Sequence, residues 1–165
     1  MNNVSASVAF PLFFTFHGQI IGHRFLADIE VLGRVLAVHE HDGVWLSGVN
    51  PGGMAAGGKT LPEAHADFSR GFKSVLIGIA NEAETFAVFK AEVERFVQES
   101  DDTTQAEWAT AVDEVRAGRR DASQLRLLTK PASQPVVVKV HELSQEGLNP
   151  KQNVLNDEPE PALAA

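Results

Sequence analysis

The stretch Arg34-Val35-Leu36-Ala37-Val38-His39-Glu40-His41-Asp42-Gly43-Val44-Trp45-Leu46-Ser47-Gly48-Val49 decides how the chain is read. Two runs rich in Val and Leu flank a His-Asp-Gly signal. Asp-Gly tolerates the positive φ of a tight hairpin turn. The two runs are therefore expected to be antiparallel strands, because only antiparallel neighbours are joined by so short a connection.

Working outward, Val8 to Phe16 is apolar and predicts a strand, with Pro11 pointing to an edge or a bulge. His17-Gly18-Gln19 is expected to turn the chain. Ile20–Ala27 and Ile29–Glu40 predict further strand, broken near Gly33. Downstream, residues 50–59 hold four Gly and one Pro and are expected to form a loop. Thr60-Leu61-Pro62-Glu63 has the form of a capping box, in which hydroxyl and carboxylate satisfy each other's orphan N–H groups. Ala64, Phe68, Phe72, Val75, Leu76 and Ile79 then share one helical face. Asn81 is the expected N-cap of a second helix carrying Phe86, Phe89, Val93, Phe96 and Val97. Thr104 should open a third, with Trp108, Val112 and Val115 on one side and Gly118 stopping it. The expectation is an α+β fold: an antiparallel sheet of three to four strands covered by helices. Its parts would be a domain at residues 1–100, an amphipathic helix at 101–118, and an extended C-terminal arm at 119–165.

Composition bounds the function. The 165-residue chain is 44% hydrophobic with ten Phe and no Cys, which is globular and excludes disulfides and thiolate metal sites. Neither a basic leader nor an apolar run long enough to span a bilayer is visible, so a cytoplasmic protein without membrane contact is expected. The net charge of −8, from 22 acidic against 14 basic residues, disfavours nucleic-acid binding by this chain alone and favours basic partners.

Chemistry-bearing motifs are sparse. His39 and His41 are spaced to share a strand face, but the turn at Asp42-Gly43 and the lack of a third ligand speak for solvated hairpin histidines over a metal site. Asp28, Glu30 and Glu40 are the residue types of a nuclease metal site, and are also common on an exposed sheet face. Gly53 and Gly58-Lys59-Thr60 formally meet the spacing of a phosphate loop. The antiparallel setting, Pro62 and Glu63 in the first helical turn, and the missing acidic strand end argue against it. No nucleophile motif such as Gly-x-Ser-x-Gly is present. No cofactor, metal or catalytic residue is therefore expected.

The segment Val44–Val49, then Gly58-Lys59-Thr60-Leu61-Pro62-Glu63-Ala64 with Phe68, Phe72 and Val75, resembles the core of the HicB-like antitoxin family. The resemblance implies a partial RNase H-like fold that has lost nuclease chemistry. It also implies neutralisation of a cognate toxin, typically a small basic ribonuclease. The insert Gly52–Gly57 is longer than the family loop, and no basic DNA-reading module follows, which leaves operator binding without support. Within this reading the domain oligomerises or docks, and the arm wraps the partner through Leu125, Leu127, Leu128, Val136, Val138, Val140 and Leu143. The strand-forming Val136–Val140 would add to the partner's sheet. The ending Leu163-Ala164-Ala165 resembles a tag read by bacterial unfoldase-proteases. The alternatives are nucleotide binding or catalysis by the Gly-rich residues 52–60, or an adaptor outside any toxin system.

Overall fold

The computed structural model describes residues 7–144 and 160–165. Its centre is a seven-stranded mixed sheet. The meander runs β1 (Val8–Gly22), β2 (Phe25–Glu40), β3 (Gly43–Asn50) and β4 (Gly52–Gly58). Three helices follow: α1 (Leu61–Glu82), α2 (Phe86–Gln98) and α3 (Asp102–Arg116). The remaining strands are β5 (Thr129–Lys130), β6 (Val137–Leu143) and β7 (Ala162–Ala164). The strand order is β4-β3-β2-β1-β7-β5, with β6 also paired to β2. The expected three- to four-stranded antiparallel sheet is thus corrected on three counts. The Gly-rich stretch is a strand, the C-terminal third adds three more, and β5 pairs with β7 in parallel.

Each correction has a local cause. Residues 17–19 do not turn, because β1 and β2 pair without interruption from Val8↔His39 to Gly22↔Phe25. The turn falls instead at His23-Arg24, where Arg24 takes a left-handed φ of 65°. Gly33 does not break β2. A Cβ there would sit 2.1 Å from the Asn50 carbonyl oxygen, so the residue marks close approach to β3. Gly57 and Gly58 have the same reason, whereas Gly53 takes a left-handed φ of 73°. A Cβ at Gly57 would meet the Trp45 ring at 2.7 Å, and one at Gly58 would meet the Ala64 backbone N at 2.6 Å. The Asp42-Gly43 hairpin forms as expected, with Glu40 opposite Gly43. Gly43, however, lies 2.5 Å in Cβ terms from the Gly58 carbonyl and has no positive φ. It serves contact and not turn geometry.

The helices start where a side-chain oxygen can reach back. Thr60 Oγ1 accepts from the Glu63 N–H, while Glu63 Oε2 accepts from Lys59 N at 2.8 Å, one residue before the expected partner. Asn81 does not cap α2. Helix α1 continues through it to Glu82, and Thr85 accepts from Val88 N instead. For α3 the cap is Asp101, whose carboxylate accepts from Thr104 N at 2.9 Å and forestalls Thr104 itself.

The sheet is packed on both faces. On the first, α1 and α2 bury Phe68, Phe72, Leu76, Phe89, Val93 and Val97 against Leu12, Phe14, Ile29, Val31 and Leu46. Phe14 touches Phe68 and Phe72 edge-on, with centroids 4.9 and 5.2 Å apart. A smaller core on the second face joins Trp108, Ala111 and Val112 of α3 to Phe13, Leu32, Leu36 and Val49, and to Ala132, Ala162 and Ala164. Of the C-terminal third, β5, β6 and β7 are therefore built into the same sheet. β6 pairs with β2 from Leu26↔Leu143 to Leu32↔Val137, and β7 sets Leu163 opposite Leu12 and Ala162 opposite Phe13. Residues 144–165 are expected from their polar composition to be solvated. Ala162–Ala164 are instead buried as β7, because they pair with β1 and β5, while 145–159 lie outside the described residues. Among those described, no helix is long and apolar enough to cross a membrane.

Candidate binding surface

Helix α3 and the 131–136 connection cover only one end of the second sheet face. Across the other end β1, β2 and β6 lie side by side, and their registers compose cross-strand rows. His17 stands opposite Glu30 and Glu30 opposite Lys139. Gln19 stands opposite Asp28 and Asp28 opposite His141. The last row is Ile21, Leu26 and Leu143. His17, Gln19, Ile21, Glu30, Lys139 and His141 are exposed and Asp28 is partly exposed. A period of two places them all on one side of the pleat. The His17 ring nitrogen lies 3.1 Å from Asp28 Oδ1, and Lys139 Nζ lies 3.9 Å from Glu30 Oε2. Such exposed pairs hold little energy, on the order of 0–1 kcal/mol each. A partner can therefore exchange them at small cost.

At the covered end the chemistry is different. The Arg34 guanidinium lies 4.7 Å from the Trp108 ring centre and donates to the Gln134 carbonyl at 3.2 Å. Phe13, opposite Arg34 in the β1–β2 register, meets Trp108 edge-on with ring centres 5.9 Å apart. Burial pushes the Arg34 pKa down from its ordinary value. Its Nε and the Trp108 indole nitrogen are both buried and have no hydrogen-bond partner among the described residues. Arg34 fastens α3 and the C-terminal connection onto β2.

Segment 119–128 rounds the end of the sheet near His39. Arg120 donates to the Ala9 carbonyl there. Open cavities flank this segment, one of about 830 Å³ lined by Ala9, Val38, Asp102 and Arg120. Another of about 560 Å³ is lined by Phe10, His39, Glu114 and Arg119, and one of about 500 Å³ by Leu61, His65, Leu127 and Pro161. Hydrogen bonding to Arg119 holds the Glu114 carboxyl below its usual range and raises the arginine in turn.

The arm residues singled out from sequence fall into three groups. Val140 is buried, and Leu125, Leu127, Val136 and Val138 pack against the main core. Leu143 is half-buried at the end of β6. Leu128 alone of the seven stands free, 83% exposed. Val137 to Val140 does add a strand, but to this chain's own β2. Leu163 and Ala164 are buried, and Ala165 exchanges backbone bonds with Lys130 and Ala132. A protease could reach these residues only after β7 leaves the sheet. His39 stacks edge-on against Phe10 at 5.7 Å, while His41 sits in the hairpin turn. Among the described residues no three His, Asp or Glu side chains converge as a metal site. Asp28 and Glu30 lie on the open face, whereas Glu40 is at the far end of β2. Gly52 and Ala55–Gly58 are paired to β3, and the Lys59 N–H already holds the Glu63 carboxylate.

Sequence reasoning missed the open face and the Arg34–Trp108 contact. The first had a readable signal: Thr15, His17, Gln19 and Ile21 alternate strictly with Phe14, Phe16 and Ile20. The second had none, because nothing local links residue 34 to residue 108. Scans against protein-family models, curated proteins and solved structures return no match for this chain. Fold and surface define it as a two-faced α+β sheet domain with half of one face open.

Proposed function

We propose that the chain is a protein-binding inhibitor, antitoxin-like in action, and not an enzyme. It acts in the cytoplasm and neutralises a basic protein partner. The observation that carries this reading is the open half-face, where Asp28 and Glu30 stand at the centre of three strands and are bordered by Ile21 and Leu143. A half-polar face of this kind, on a chain of net charge −8, suits a partner that brings Lys or Arg to the two carboxylates and apolar groups to the border. The partner surface moves accordingly, from the apolar arm residues to the face that β6 completes.

The test is co-expression with the product of the adjacent gene, followed by affinity capture. Intact protein should retain that product. Asp28→Lys/Glu30→Lys should lose it with the circular dichroism spectrum unchanged, because both positions point to solvent. Capture that survives the charge reversal overturns the reading, as does the lack of any complex with the intact chain.

A further inference from the structure

β1 is fifteen residues long, but β7 pairs with it only at Leu12 and Phe13. From Phe14 to Gly22 the strand has β2 on one side and, among the described residues, no strand on the other. Register alone would carry β7's chain onto Phe14, but Pro161 stands there, and proline has no N–H to extend the ladder. The result is an open edge nine residues long.

Edges of monomeric sheets are ordinarily blunted by Lys, proline, bulges or brevity. This one has none of these. Phe14-Thr15-Phe16-His17-Gly18-Gln19-Ile20-Ile21-Gly22 contains no Pro, Asp, Glu, Lys or Arg, and its pairing to β2 runs without a bulge. The outer β4 contrasts with it, being short and more than half glycine. Ile21, on the open stretch, is 79% exposed, which is high for so large an apolar side chain.

We propose that two copies of this chain pair edge to edge through Phe14–Gly22, antiparallel about a two-fold axis at Gly18. Each sheet then continues into the next. Charge selects the occupant: a strand without formal charge recruits neither a basic nor an acidic segment, whereas it meets its own copy without repulsion in a chain carrying −8 overall. The side-chain pattern is self-complementary. Centring on Gly18 uses the whole open edge and sets Phe16 beside the partner's Ile20 on the core side. On the open side Ile21 lies beside the partner's Thr15, and His17 beside the partner's Gln19. At the axis itself glycine brings no side chain. The two half-open faces join into one platform twice as wide. This pairing stands independently of the inhibitor reading, since self-association is measured without any partner.

Directly opposite residues in an antiparallel pair have Cα atoms roughly 4.5–5.5 Å apart, within the disulfide range of about 4.4–6.8 Å. The chain has no cysteine of its own, so engineered thiols report without background. His17→Cys/Gln19→Cys should oxidise to a covalent dimer on a non-reducing gel, while each single variant stays largely monomeric. Light scattering should find the native chain dimeric and Gln19→Lys/Ile21→Lys monomeric, with circular dichroism unchanged. A native chain that is monomeric overturns the proposal. So does a dimer that neither cross-links at these positions nor dissociates in the lysine variant. Protection of the 15–21 amides from exchange in a monomeric sample would show the edge covered by the chain itself, and would overturn it too.

Discussion

Arg34 is a cation placed in the smaller core with a carbonyl, an indole face and, among the described residues, no carboxylate paired to it. Its stem and its contact with Trp108 fill space, while its buried Nε is left unsatisfied. Truncation and replacement should therefore have opposite outcomes. Arg34→Ala removes the packing and should lower stability by about 2 kcal/mol. Arg34→Met keeps the volume, relieves the desolvation, and should be neutral or mildly stabilising. Urea melts of the two variants check this, and equal losses in both would contradict it. Titration is also decided at single residues. Hydrogen bonds from Thr104 and Ser123 hold Asp101 and Asp121 below the usual carboxylate range, and Arg119 does the same for Glu114. A carboxyl depressed in the folded state contributes stability that is present above its unfolded value. That stability is lost as pH falls through the lower folded value. The melting temperature should be level near neutrality and fall on acidification below about pH 4. Asp101→Asn/Asp121→Asn should have a shallower acid limb, and an unchanged limb would count against these bonds.

Among the elements, β7 has the largest effect for its length. Three residues place Leu163 in the main core and Ala162 and Ala164 in the second, and they join β1 to β5. Leu163→Ala should cost about 2–4 kcal/mol. A loss below about 1 kcal/mol in a denaturant melt would show that β7 is not held as described. Such a strand could not be read from Ala162-Leu163-Ala164, since nothing in three small residues encodes pairing with Leu12, some 150 positions earlier in the chain. What was legible depended on local periodicity. The α1 stripe, the 42–43 hairpin and the strand at 137–140 follow from nearest-neighbour patterns. The strand character of β4 is not legible, because Gly57 and Gly58 suit close contact with Trp45 and α1, which are invisible in sequence. Gly18 likewise signals a turn, yet it lies within an unbroken strand. The candidate site was legible only in its residue types. Asp28 and Glu30 stood out as carboxylates, but their neighbours His17, Lys139 and His141 come from strands about 10 to 110 residues away.

At the scale of the whole molecule, β5, β6 and β7 are part of the sheet, and among the described residues half of one face is left uncovered. An arm free to wrap a partner and a face completed by β6 predict different footprints. The two can be separated because the arm's described apolar residues are largely packed inside while Asp28, Glu30, Lys139 and His141 stand outside. The most direct measurement is amide hydrogen exchange on the complex with the adjacent gene's product, compared with this chain alone. New protection should centre on residues 26–31 and 137–143. Protection confined to residues 119–128, or none within β2 and β6, would contradict it.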